Sequence, residues 1–209
     1  MQRTGSRLGR RGTSYSSFVL SEYDNEKSHE AGVVSCEEVF ERAAYFLERL
    51  IPVAEEYQIQ MACHLNDLPS PVLNGIEKWN WPVFEGLKRF SELVDGPYHG
   101  FNFCCGVAVE GLENPSEELP PIVKYFAERK KIFNIHFRNI RGGLHGFCET
   151  WPDEGNINMY EVAKALYAGG YLYMVMPDHA LHHPDDSPPD GVSSRVSQAW
   201  ASSSAISLH

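Results

Sequence analysis

Behind Ser35, the apolar positions Val39, Phe40, Ala43, Phe46, Leu47, Leu50, Ile51 and Ala54 recur at helical intervals. Ser35 and Glu38 stand at capping-box spacing, so the pattern predicts a helix that starts there. "YQIQMACH" then reads as a strand ending at His64, and "LNDLPSPVLNG" as loop chemistry closed by Asn-Gly. Pro82 suits a first helical turn, and Val83, Phe84, Leu87, Phe90 and Val94 form an apolar face behind it. "GFNFCC" is a second strand, followed by a helix over Leu119 to Arg129 and by the strand "KIFNIHF". Asn158 and Glu161 cap a last helix carrying Met159, Val162, Ala163 and Leu166, which Gly169-Gly170 stops. "YLYMVMPDH" is the fourth strand. Strands alternating with helices predict parallel βα units joined by right-handed crossovers, an α/β fold over residues 35–180. Residues 1–34 carry little periodicity and are expected to form an irregular arm. Residues 181–209, rich in Pro, Asp and Ser, are expected to form an irregular tail.

Composition narrows the class. The 209 residues are 43% hydrophobic and 12% aromatic, enough for a core, and the formal net charge is −10. That charge argues against wrapping nucleic acid or lying on an anionic membrane, both of which need concentrated basic surface. No apolar run approaches the roughly 18 residues of a membrane span, and the basic, serine-rich opening lacks the apolar stretch of a secretory signal. Five cysteines without disulfide-framework spacing fit a reducing compartment, so a cytoplasmic protein acting on a small molecule is expected.

Parallel sheets gather their chemistry at the carboxyl ends of the strands. Here those ends are His64, Cys104 or Cys105, His136, and Asp178-His179. Taken singly, each has a plain structural explanation: a loop histidine, a packed thiol, a turn-capping aspartate. Taken together, imidazole, thiolate and carboxylate make a mixed site suited to Mn, Fe or Zn rather than to Mg or Ca. Side chains alternate along a strand, so only one of Cys104 and Cys105 can face such a site. Arg138, two residues beyond His136, would share its face and could grip a substrate carboxylate with its planar fork.

The blocks "CHLNDLPSP", "GFNFCCG", "IHFRNIRG", "FCETWPDEGNINMYEVAKAL" and "YLYMVMPDHALHHPDD" resemble consecutive blocks of the mannonate dehydratase family. The resemblance implies a (β/α)8 TIM barrel of the xylose-isomerase-like type. It also implies dehydration of D-mannonate to 2-dehydro-3-deoxy-D-gluconate in hexuronate breakdown, with Mn2+ or Fe2+ as cofactor. By the same resemblance His64, Cys104, His136 and Asp178 are the metal ligands. Cys104 takes the cysteine place in the family's Phe-Cys-x-Gly pattern, His179 is a catalytic acid or base, Arg138 is catalytic and substrate-binding, and Asn139 binds substrate. One departure lies in the first loop, where the family's His-Pro-x-Asp-Pro-Pro is replaced by His64-Leu65-Asn66-Asp67-Leu68-Pro69.

Family members are longer than this chain, and a full barrel takes about 250 residues. Four βα units are therefore expected as the carboxyl-terminal part of a barrel, with two open sheet edges and a homo-oligomer as the expected assembly. The ending "ASSSAISLH" replaces the family's aromatic helix. Dropping one T from codons for Ala-Phe-Gln-Phe-Gly-Tyr-Ile-Ile-Ala yields that sequence, so a one-base frameshift is expected in the tail. Two alternatives accompany this reading: a related metal-dependent sugar isomerase or epimerase, and a catalytically inactive metal-binding barrel fragment.

Overall fold

The computed structural model describes residues 4–9, 12–23, 30, 32–178 and 181. In chain order its elements are β1 (Gly5–Leu8), β2 (Ser14–Val19), α1 (Cys36–Glu56), β3 (Met61–His64), β4 (Val72–Leu73), β5 (Ile76–Glu77), α2 (Val83–Ser91), β6 (His99–Cys104), α3 (Cys105–Glu110), α4 (Pro115–Glu128), β7 (Ile132–His136), β8 (Ile140–Gly143), β9 (Gly146–Glu149), α5 (Met159–Ala168) and β10 (Val175–Met176). The helix signals act as expected. Glu38 N–H donates to Ser35 Oγ at 3.2 Å and Ser35 N–H donates to Glu38 Oε2 at 2.9 Å, closing the capping box of α1. Asn158 accepts from the amides of Tyr160 and Glu161 at the start of α5.

The expected α/β arrangement with a parallel sheet is present. One four-stranded sheet has the order β10-β7-β6-β3, and every neighbouring pair in it is parallel. Period-two alternation sorts its side chains. Phe101 and Phe103 pair with Ile132 and Ile135, the register shift at Phe133 keeping the two isoleucines in line, and with Leu119, Phe126 and Leu166 all four are fully buried. Each such burial stabilises the fold by about 1.5–3 kcal/mol. Asn102 and Asn134 carry the polar contacts: Asn134 Nδ2 donates to Asn102 Oδ1 at 3.0 Å, and Asn102 Nδ2 lies 3.0 Å from His136 Nε2. A register shift between Phe101 and Asn102 bends the sheet. It curls far enough that Gln60 Nε2, just before β3, donates to Tyr173 Oη, just before β10, at 2.8 Å.

Three segments differ from the sequence expectation. The supposed irregular arm holds the antiparallel pair β1-β2, and β2 joins a second sheet of order β1-β2-β9-β8. Its sequence "SYSSFV" hides the strand behind small polar residues, while Tyr15 and Phe18 are buried. The loop after His64 contains the hairpin β4-β5, turned at Asn74 (φ 53°) and Gly75 (φ 78°), the left-handed pair that a two-residue turn demands. The stretch after Arg138, unassigned from sequence, is the hairpin β8-β9. Of the expected irregular tail only Leu181 is described, and it is buried; the proposed frameshifted ending lies outside the described residues.

Candidate metal centre

Because β3, β6 and β7 run parallel, their last residues arrive at one end of the sheet: His64, Cys104 and His136. One donor atom from each lies within 4.8 Å of the others. Asp178 follows β10 to the same place, with Oδ1 3.4 Å from His136 Nδ1 and Oδ2 4.0 Å from Cys104 Sγ. Its backbone is held at φ 73°, a left-handed conformation uncommon outside glycine and one that clusters at functional sites.

Hydrogen bonds around the cluster aim the donors. His64 Nδ1 lies 2.7 Å from the Leu65 carbonyl, which can only accept, so Nδ1 carries the proton and Nε2 keeps its lone pair. His136 Nδ1 is buried, and the Asp178 carboxylate is the polar group that faces it. Of the two cysteines, Cys104 ends the strand and joins the cluster, whereas Cys105 begins α3 and is buried away from it. Burial pushes the Cys105 thiol well above its ordinary value. Burial acts on Cys104 in the same direction, but the Arg138 charge and the neighbouring His136 and His64 imidazoles outweigh it and bring that thiol down to about 6. Burial lowers the His136 imidazole, and hydrogen bonding with Asp178 and Cys104 overcomes this and raises it to about 9. A thiolate and two imidazoles with donor atoms within 4.8 Å of one another, and an adjacent carboxylate, fit a divalent transition ion.

Arg138 lies beside the cluster, on the side its spacing from His136 suggested, but its guanidinium is turned to protein groups. It is buried, with Nη2 3.2 Å from Glu110 Oε1, Nη1 3.4 Å from Glu149 Oε1, Nε 3.4 Å from Asp178 Oδ2 and Nη2 3.8 Å from Cys104 Sγ. The fork expected to grip a substrate carboxylate is already engaged by protein carboxylates. Gly106 makes the room: a Cβ there would lie 2.6 Å from Arg138 Cζ, which gives the Phe-Cys-x-Gly pattern a physical reason. Asn139, expected to bind substrate, is also committed. Its Nδ2 donates to the carbonyls of Pro152 and Ile157, and its Oδ1 accepts from the amides of Ile140 and Ile157. It clamps the loop that leads to α5. His179 lies outside the described residues.

Sequence reasoning missed Glu110 and Glu149. Glu110 had one legible sign, a lone charge in the apolar run "CGVAVEG". Burial pushes its carboxyl well above the usual range, Arg138 opposing, with Asp67 adding to the rise.

The sequence model of the D-mannonate dehydratase (UxuA) family matches residues 24–201. The chain belongs to that family. Relatives of the D-mannonate dehydratase family include the mannonate dehydratase of Thermotoga petrophila, 34% identical over 155 residues that cover 68% of this chain and 39% of that protein. That of Enterococcus faecalis is 36% identical over 163 residues, covering 77% and 43%. The chain thus spans about two fifths of the length of the curated relatives it matches. A crystal structure of mannonate dehydratase from Streptococcus suis serotype 2 shares the fold, with a TM-score of 0.80 and 24% identity over 97% of this chain and 59% of that one.

Proposed function

We propose that this chain carries the metal-binding part of a mannonate dehydratase, a hydro-lyase acting on the sugar acid D-mannonate. The observation that carries the reading is the convergence of His64, Cys104 and His136 within 4.8 Å at the ends of three adjacent parallel strands. His64, Cys104, His136 and Asp178 would hold Mn2+ or Fe2+. When bound, such an ion would supply a Lewis acid for the negative charge that develops next to a substrate carboxylate. Arg138 holds Cys104 as thiolate and fixes Asp178 from the buried side, acting on the ligands rather than on the substrate. Leu65 fixes the tautomer of His64 through its carbonyl. His179, next in sequence to Asp178, is the candidate to move a proton at the substrate carbon or hydroxyl. The parallel sheet is read as half of a (β/α)8 barrel, and the protein as a cytoplasmic homo-oligomer.

A second reading is a metal-binding fragment without turnover; the chain spans about two fifths of the length of its relatives. Two measurements separate them. Elemental analysis should find a divalent transition ion in the wild-type chain and in Cys105→Ser, and much less in Cys104→Ser and Asp178→Ala. Equal content in all four rejects the ligand set. Formation of a 2-keto-3-deoxy acid from D-mannonate by the loaded chain supports the lyase; metal binding without product supports the fragment, and ketose formation from an aldose would redirect the reading to an isomerase.

A further inference from the structure

One layer below the ligands the parallel sheet carries a pair of asparagines. Asn102 lies two residues before Cys104 on β6 and Asn134 two before His136 on β7, and the strands pair Asn102 with Asn134 as they pair Cys104 with His136. Side chains two apart on a strand point the same way, so both amides stand beneath the ligands. Asn134 Nδ2 donates to Asn102 Oδ1 at 3.0 Å and to Met176 Sδ at 3.1 Å, and Asn102 Nδ2 lies 3.0 Å from His136 Nε2. An amide that touches one nitrogen of a ligating imidazole decides which nitrogen the ring offers to an ion.

We propose that Asn102 is a positioning residue for the ion: its amide occupies the Nε2 side of His136, so His136 meets the ion through Nδ1, whereas His64 meets it through Nε2. Two observations support that choice of nitrogen. His136 Nδ1 is buried and faces Asp178 Oδ1 at 3.4 Å. Two ligand atoms that are each about 2.1 Å from one ion stand about 3.0–3.5 Å apart, so this spacing suits a shared cation. The Nε2 side is closed to an ion, because the amide 3.0 Å away fills the place that a metal would need. His64 is tied the other way round, with Nδ1 2.7 Å from the Leu65 carbonyl. An imidazole bound through Nδ1 carries its proton on Nε2 and needs an acceptor there. Asn102 provides one by a half-turn of its amide, which brings Oδ1 to Nε2 and turns Nδ2 towards Asn134. Asn134 answers with its own Oδ1, a buried atom that makes no other hydrogen bond among the described residues. The inference rests on the metal-centre reading and is independent of whether the chain turns substrate over.

Spin-active Cd2+ is the probe, because its nucleus couples to the nitrogen that binds it. In the full 209-residue chain, labelled with nitrogen-15 and loaded with Cd2+, long-range proton–nitrogen spectra should show cadmium coupling on Nδ1 of His136 and on Nε2 of His64, with a proton on Nε2 of His136. Coupling on Nε2 of His136 overturns the proposal and leaves the metal centre standing. A chain that binds no Cd2+ removes the metal centre and the proposal with it. Asn102→Leu takes away the acceptor at little change in size and should lower Cd2+ affinity about 10–100-fold, while Asn102→Asp keeps an oxygen towards both His136 and Asn134 and should restore the wild-type affinity. The Nε2 proton of His136 should exchange slowly with water in wild type and in Asn102→Asp, and rapidly in Asn102→Leu. Wild-type affinity and slow exchange in Asn102→Leu, or an equal loss in Asn102→Asp, overturns the positioning role. The wild-type spectrum decides the choice of nitrogen even if Asn102→Leu does not fold.

Discussion

Gly106 shows how much of the centre depends on one missing atom. An added Cβ would lie 2.6 Å from Arg138 Cζ and 2.7 Å from Nε, so Gly106→Ala must displace the guanidinium from Cys104 and Asp178. Losses of outer-shell partners typically lower metal affinity about 10–100-fold, and Gly106→Ala and Arg138→Lys should both fall in that range by calorimetric titration. An unchanged affinity for both would remove Arg138 from the metal centre. His99 offers a pH test away from the cluster. It is buried, its Nε2 donates to the Phe90 carbonyl at 2.9 Å, and burial holds its pKa below the ordinary value. The unfolded chain therefore takes the proton first: the contribution of His99 is full above about pH 6.5 and is lost as pH falls towards its folded value. His136, raised instead, acts in the opposite direction, so the informative quantity is a difference. Between about pH 7.5 and about pH 5, wild type should lose more thermal stability than His99→Gln. Parallel loss in both would mean that His99 does not titrate with unfolding. The Arg138 position was not legible in the sequence, since its carboxylate partners Glu110 and Glu149 lie 28 and 11 residues away and only the fold brings them in. The candidate positions His64, Cys104 or Cys105, His136 and Asp178 were legible because strand ends in a parallel sheet share an address, while the choice of Cys104 came from the family resemblance.

At the scale of elements, the four parallel strands and their helices follow from local periodicity and capping. The hairpins do not. β2 owes its existence to Phe18 meeting Phe147, whose ring centroids are 5.8 Å apart, and to pairing with β9 more than a hundred residues on. No window of sequence contains both partners, and serines blur the alternation of "SYSSFV". The same absence of local signal concealed β8-β9, whose two strands are joined at Gly143 and Gly146. If β2 is an integral strand, Phe18→Ala should cost about 3 kcal/mol or more in urea unfolding, while the exposed Leu8→Ala should change stability by less than about 0.5 kcal/mol. Equal effects from the two would return the segment to the status of an appendage.

At the scale of the molecule, Arg138 touches carboxylates from three separate stretches: Glu110 at the end of α3, Glu149 at the end of β9, and Asp178 beyond β10. β9 is also the strand on which β2 rests. Ion occupancy and hairpin order are therefore expected to be linked, and linkage of this kind would act in both directions. Adding Mn2+ should slow hydrogen exchange at the amides of Phe18 and Phe147 in the wild-type chain, with no such slowing in Asp178→Ala. Conversely, Phe18→Ala should weaken ion binding without touching a ligand. Exchange rates indifferent to the ion would show the two parts to be independent. If exchange does slow, the N-terminal hairpin would serve as a gauge, reporting through one guanidinium whether a cation is held by residues far along the chain.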